Sequence, residues 1–246
     1  MLGGMSSQTP SAAVPAGTAV VLDLDGTLVD SEPNYFEAGR RLLARHGVTD
    51  FDWADHERYV GISTAETVAI WRTKYGLDAT PEELLTEKNA YYLELARAGT
   101  RAYPQMREFV TELHARGVPM AVASGSSRAA IEAILQGTGL DAYLTVLVSA
   151  EEVEHGKPEP DVFLEAARRL GVAPEACVVI EDAAPGAAAA RAAGMRCIAV
   201  PYVPETADAP AFAAADLLFP GGQQEFTARA AYDWLVRTAP AGGAGS

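Results

Sequence analysis

Five short, mainly apolar runs constrain the fold most: Ala19–Leu24, Val118–Ala123, Thr145–Val148, Cys177–Ile180 and Cys197–Val200. None alternates with polar residues and none is long enough for an ordinary helix, the mark of strands buried on both faces. Between the later runs lie helical patterns such as Asp161–Leu170, with apolar residues three and four apart. Strand alternating with helix predicts a parallel sheet covered on both faces.

The stretch 34–103 breaks the alternation. It carries no buried-strand run but several helix signals. Thr80-Pro81-Glu82-Glu83 is a capping box with proline at the first helical position, opening a helix that ends before Gly99. Ser63-Thr64-Ala65-Glu66 opens another, which Gly76 can close. The chain therefore reads as a Rossmann-like α/β core, residues 18–33 and 104–238, with a small helical domain, 34–103, inserted after the first strand. The crossings fall near Ser31–Pro33 and Thr100–Pro104, and two crossings make a natural hinge. Residues 1–17 and 239–246 lack periodicity and read as loose tails.

Composition narrows the partners. With 19 basic and 33 acidic residues the net charge is -14, which repels nucleic acid and anionic lipid surfaces. No window approaches the ~18 apolar residues of a membrane span, and no leader pattern is visible, so a cytoplasmic protein is expected. Cys177 and Cys197 lie in apolar runs and read as packed thiols. Monomer and homodimer both stay open. A phosphate site in so acidic a chain must be made locally positive by a metal, a lysine or main-chain amides.

The first apolar run ends on Asp23-Leu24-Asp25-Gly26-Thr27. Ligands collect at the carboxyl ends of parallel strands, and carboxylates two residues apart on a strand leave the same face. Such a pair needs a cation or a shared proton. The second run ends on Ser124-Gly125-Ser126-Ser127, whose helix start offers free amides to an anion. Lys157 lies in a loop with two prolines, and the fourth run ends on Glu181-Asp182, hard oxygen ligands suited to Mg²⁺. Taken singly, each has an ordinary reading as a solvated turn, a helix cap or an exposed lysine.

In this order, at successive strand ends, the four motifs resemble those of the haloacid dehalogenase superfamily, over about residues 19–205. The insert resembles the helical cap of the branch that contains phosphatases and β-phosphoglucomutase. The resemblance implies that Asp23 attacks phosphorus and becomes a phosphoaspartate, and that Asp25 acts as general acid and base. It implies Mg²⁺ held by Asp23, the main-chain carbonyl of Asp25, Asp182 and Glu181, and a phosphoryl group held by Ser124, Gly125, Ser126 and Lys157. Thr27 adds a hydroxyl beside amides suited to anionic oxygens.

Tyr35 and Thr64 stand where β-phosphoglucomutase carries a histidine and an arginine. A threonine holds a second phosphate poorly, so water is the expected acceptor. The expected activity is Mg²⁺-dependent hydrolysis of small phosphorylated metabolites, sugar or polyol monophosphates. The alternatives are a sugar phosphomutase and a non-catalytic phosphometabolite-binding protein. Tyr35, the Gly61-Ile62-Ser63 loop and Lys88-Asn89 are candidates for substrate contact, although Tyr35 also fits a core position and Lys88 a solvated one. His46, His56 and His114 have no partner at metal-ligand spacing and receive no role; His155 is assigned to its loop.

Overall fold

The protein is described by a computed structural model for residues 13–60 and 62–238. From the N-terminus, β1 (Ala19–Leu22) leads through a tight turn to β2 (Val29–Asp30), and four helices follow: α1 (Glu32–Arg45), α2 (Trp53–Glu57), α3 (Thr64–Tyr75) and α4 (Pro81–Ala98). The chain returns as β3 (Arg101–Ala102), antiparallel to β2, so a two-stranded ribbon closes the insert at its base. The remainder runs α5 (Pro104–Ala115), β4 (Met120–Ser124), α6 (Arg128–Thr138), β5 (Val146–Ser149), α7 (Asp161–Leu170), β6 (Cys177–Glu181), α8 (Ala184–Ala192), β7 (Arg196–Ala199), α9 (Pro210–Ala213), β8 (Leu217–Leu218) and α10 (Ala228–Thr238).

Six strands form one parallel sheet in the order β5-β4-β1-β6-β7-β8. Val21 lies opposite Ala121 on one side and Val179 on the other, which brings the carboxyl ends of β1, β4 and β6 side by side. Alternate residues of the central strand enter different cores. Val20 and Leu22 pack with Phe109 and Ile131, while Val21 packs with Phe163 and Ala190 on the opposite face. This double burial explains why the strands read as unbroken apolar runs.

The inserted helices have a core of their own, Leu42, Leu43, Phe51, Val68, Trp71, Leu77 and Leu84. Gly39 makes room for it, since a Cβ there would lie 2.6 Å from the Trp71 ring. Helix starts follow the sequence signals. Ser63 caps α3, Thr80 and Glu83 form a reciprocal capping box on α4, and Gly76 ends α3 in the left-handed conformation.

Two expectations need correction. The first run ends as a strand at Leu22, because Leu24 O accepts from Leu28 N and Val29 N in the turn that carries the acids. Val14 packs against the core, so the N-terminal tail does not extend to residue 17; residues 1–12, 239–246 and Gly61 lie outside the described residues. Strands β2, β3 and β8 have two residues each, too short to show a pattern. Among the described residues no helix is long and apolar enough to cross a membrane.

Candidate active site

Asp23 follows β1, and its main-chain N–H donates to Ile180 O of the neighbouring strand at 3.0 Å, fixing where the side chain leaves the sheet. Lys157 reaches it from the loop between β5 and α7. Its Nζ lies 2.5 Å from Asp23 Oδ1, 2.5 Å from Glu181 Oε1 and 3.2 Å from Ala123 O. The other oxygen of Glu181 accepts from the amides of Asp182 (2.9 Å) and Ala183 (3.1 Å). Asp182 Oδ1 accepts from Thr27 Oγ1 at 3.0 Å.

Two glycines allow this crowding. A Cβ on Gly186 would lie 1.9 Å from Glu181 Oε1, and one on Gly26, whose φ is +77°, 2.2 Å from Asp182 Oδ2.

Three buried acids face one lysine. Burial pushes the Asp23 carboxyl up to about 8, against the pull of Lys157 and with the added push of Glu181 and Asp25. Asp182 is driven well above the carboxylate range by burial and then by the charges of Glu181 and Asp23. Burial works against the Lys157 ammonium, but Asp23 and Glu181 outweigh it and raise its affinity for the proton. Oxygens of Asp23, Glu181 and Asp182 lie within 4.8 Å of one another. A buried set of hard oxygen donors with more negative charge than its lysine balances fits a small divalent cation such as Mg²⁺.

Asp25 points elsewhere. Its Oδ1 accepts from Tyr92 OH at 2.6 Å, and its Oδ2 accepts from Ser126 Oγ at 2.7 Å and Ser124 Oγ at 3.1 Å. Tyr35 stacks on Tyr92, with ring centroids 4.1 Å apart, and its hydroxyl shares a 2.8 Å hydrogen bond with Ser126 Oγ. Burial first, and the Asp25 charge second, hold both phenols well above their ordinary range, so they stay protonated.

Above these groups, between the strand ends and α1–α4, lies a cavity of ≈ 440 Å³. Asp23, Asp25, Lys157 and Asp182 line its floor; Glu32, His56, Thr64, Trp71 and Lys88 line the helical side. Glu32 Oε2 is 2.7 Å from His56 Nε2, and both residues are buried. Lys88 is only 4% exposed, with its Nζ 5.0 Å from the Tyr35 ring centroid and 5.7 Å from that of Trp71. Burial lowers its proton affinity to about 8, although the Glu32 charge resists the fall.

Asp23, Asp25, Gly125, Ser126, Lys157, Glu181, Asp182, Tyr35 and Lys88 thus surround one cavity. The solvated reading of Lys88 is overturned by its burial. Thr27 is a correction of another kind: its hydroxyl is spent on Asp182 and it does not line the cavity, so it braces an acid rather than meeting a phosphate. Ser124 Oγ is buried against Asp25 and accepts from Ser126 N at 3.0 Å, so a phosphoryl oxygen must displace these contacts. Asp25 contributes no carboxylate oxygen to the metal cluster, and both Glu181 oxygens are already engaged. Sequence reasoning missed Tyr92, Glu32 and His56. Tyr92 had a signal, since it falls four residues after Lys88 on the same helix face. His56 had none, because only the fold carries it to Glu32.

A parallel α/β sheet with an acid–lysine cluster at its strand ends and a helical layer above defines a class of hydrolases. The family described as haloacid dehalogenase-like hydrolase matches residues 18–194, and the chain belongs to it as a phosphoric monoester hydrolase. Fructose-1-phosphate phosphatase YqaB of Escherichia coli is 36% identical over 187 residues, covering 74% of this chain and 95% of that protein. Hexitol phosphatase B of the same organism is 32% identical over 200 residues, covering 81% and 90%. The chain spans about half, 49%, of the bifunctional riboflavin kinase/FMN phosphatase of Arabidopsis thaliana, at 37% identity over 76% of its own length. Among solved structures, CbbY of Rhodobacter sphaeroides in complex with xylulose-(1,5)bisphosphate superposes with a TM-score of 0.72 at 27% identity, covering 84% of this chain and 95% of that one. β-Phosphoglucomutase of Clostridium difficile gives 0.71 at 25%, covering 88% and 96%.

Proposed function

We propose that the protein is a Mg²⁺-dependent phosphatase of sugar and polyol monophosphates that works through a phosphoaspartate on Asp23, with residues 34–103 as a cap over the site. The observation that carries the reading is Lys157 bridging Asp23 and Glu181 on the floor of a cavity whose wall also holds Asp25. The names of the hexose- and hexitol-phosphate phosphatases among its relatives support the substrate class.

Asp23 and Asp182, with the Asp25 main-chain carbonyl, would hold the cation, while Glu181 fixes Lys157 and the turn at Asp182. Bound there, Mg²⁺ neutralises charge on the transferring group, which lets a carboxylate approach a phosphate dianion. The Asp23 carboxylate oxygen attacks phosphorus; as that bond forms, the bond to the leaving oxygen breaks and Asp25 delivers a proton to that oxygen. Asp25, now a carboxylate, takes a proton from the water that hydrolyses the phosphoaspartate, which returns both acids to their starting states. Lys157 supplies fixed positive charge to the phosphoryl oxygens, and Ser124, Ser126 and the amide of Gly125 supply hydrogen bonds. At the far end, the hydroxyls of a polyol meet Glu32 as acceptor and Lys88 as donor.

No arginine lines the cavity among the described residues. This favours hydrolysis of monophosphates over a mutase, which must grip a second phosphate. The test is phosphate release from glucitol 6-phosphate, fructose 1-phosphate and β-glucose 1-phosphate, with and without Mg²⁺. Metal-dependent release is expected, falling by at least about 10⁴-fold in Asp23→Asn with loss of the acid-stable phosphoenzyme. Release that survives Asp23→Asn, or isomerisation in place of hydrolysis, would overturn the reading.

A further inference from the structure

Asp25 is gripped from two sides. Ser124 and Ser126, from the strand-end loop, hold Oδ2, whereas Tyr92, from helix α4, holds Oδ1 at 2.6 Å. Tyr92 is 4% exposed and its ring lies 21° from parallel to that of Tyr35, whose hydroxyl returns to Ser126. The contacts close a loop, Asp25 to Tyr92 to Tyr35 to Ser126 and back. A tyrosine has only two side-chain torsions, so a stacked ring leaves its hydroxyl little freedom.

The two grips fare differently when substrate binds. On the phosphatase reading, on which this inference rests, Ser124 and Ser126 turn to the phosphoryl oxygens and release Oδ2. Tyr92 is not a phosphate ligand and keeps Oδ1. We propose that Tyr92 is a positioning residue for proton transfer by Asp25: it occupies Oδ1 as a donor and leaves Oδ2, on the phosphate-loop side, to carry the proton. In the transfer, the Asp23 oxygen–phosphorus bond forms and the phosphorus–leaving-oxygen bond breaks with its electron pair on oxygen. The Oδ2 proton then completes the alcohol. Since misplacement by about 1 Å can lose about 10²-fold in rate, an anchor that survives substrate binding matters. It also ties competence of the acid to the seating of α4.

The experiment is leaving-group dependence in Tyr92→Phe, which removes the hydroxyl and keeps the stacked ring. An alkyl phosphate such as glucitol 6-phosphate needs a proton on its departing oxygen, whereas p-nitrophenyl phosphate departs as a stable phenolate without one. The quantity read is the ratio of kcat/KM for the two substrates, which does not depend on the fraction of active protein. The ratio of alkyl to aryl is expected to fall at least tenfold in Tyr92→Phe, within the span that acid catalysis supplies. In an Asp25→Asn background the same substitution should not move it further. An unchanged ratio, or a further fall in the Asp25→Asn background, would overturn the role of Tyr92 while leaving the phosphatase reading intact. If the wild-type protein hydrolyses neither compound, that reading fails and takes this inference with it.

Discussion

The cavity has two lysines on its wall, Lys157 half-buried and Lys88 buried, and they are held in opposite ways. Lys157, on the floor, lies 2.5 Å from carboxylate oxygens of both Asp23 and Glu181. Lys88, on the helical side, has no hydrogen-bonded acceptor among the described residues and faces the rings of Tyr35 and Trp71. Their proton affinities diverge accordingly: burial opposes both ammonium groups, but carboxylates reverse its effect at Lys157 and only moderate it at Lys88. A compensated charge belongs to the architecture of the site. An uncompensated one is open to a partner, which under the proposed function is the end of the substrate remote from the reacting phosphate.

The largest effect is expected from Lys157→Met. Removing the cation leaves three buried acids facing one another, and breaking a buried ion pair typically costs about 3–5 kcal/mol. Thermal unfolding of metal-free protein should shift down by several degrees, and kcat/KM should fall by about 10³-fold. Mg²⁺ should raise Tm more in this variant than in wild type, because the variant has one positive charge fewer. Equal Mg²⁺ shifts in both proteins would break the claim that lysine and metal balance the same acids.

The floor was legible in the sequence because strand ends are. Each of its acids falls at or just after the end of an apolar run, and a parallel sheet delivers successive carboxyl ends to one edge whatever the details of packing. The helical side was less legible. Lys88 reads equally well as a surface residue until α1 and α3 are packed against α4, and Trp71 reaches it only because Gly39 lacks a side chain. Glu32 was hidden in the crossing between core and insert, and His56 in a five-residue helix too short to carry a pattern. Thr27 shows the opposite case: position in a motif suggested a phosphate contact, but in the fold its hydroxyl donates to Asp182.

Lys88→Met should reverse the sign of the stability change. The ammonium binds its proton more weakly in the folded protein, near 8, than in the unfolded chain, near 10.5. Below about pH 8 both states are charged and the folded state carries the whole penalty; between about 8 and 10.5 the folded state sheds its proton first and the penalty disappears. The variant should therefore be more stable than wild type at pH 7, by roughly 1–3 kcal/mol after loss of the cation–π contacts, with the difference closing above pH 8. Activity should move the other way, with KM for glucitol 6-phosphate up about tenfold. In wild type KM should rise as pH climbs through 8, and in Lys88→Met that rise should vanish. The phosphate itself is a dianion across this window, with its second pKa near 6. Glu32 and Tyr35 face Lys88 from α1, and His56 on α2 is reached through Glu32. A variant no more stable than wild type at pH 7 would mean that the charge is compensated after all.

The smallest effect tests whether the helical side orients substrate as well as attracting it. His56 holds Glu32 at 2.7 Å, leaving the second carboxylate oxygen for a hydroxyl of the substrate. His56→Leu removes that support and leaves a buried carboxylate short of a donor, at a cost of about 1–3 kcal/mol. KM for polyol phosphates should rise a few-fold, with kcat nearly unchanged, because Glu32 takes no part in the proposed phosphoryl or proton transfer. p-Nitrophenyl phosphate presents no hydroxyls there, so its KM should not follow. His56→Gln, which restores a donor, should recover most of the loss. If kcat falls instead, or both substrates weaken alike, the pair supports the packing of α1 against α2 and has no part in reading the substrate.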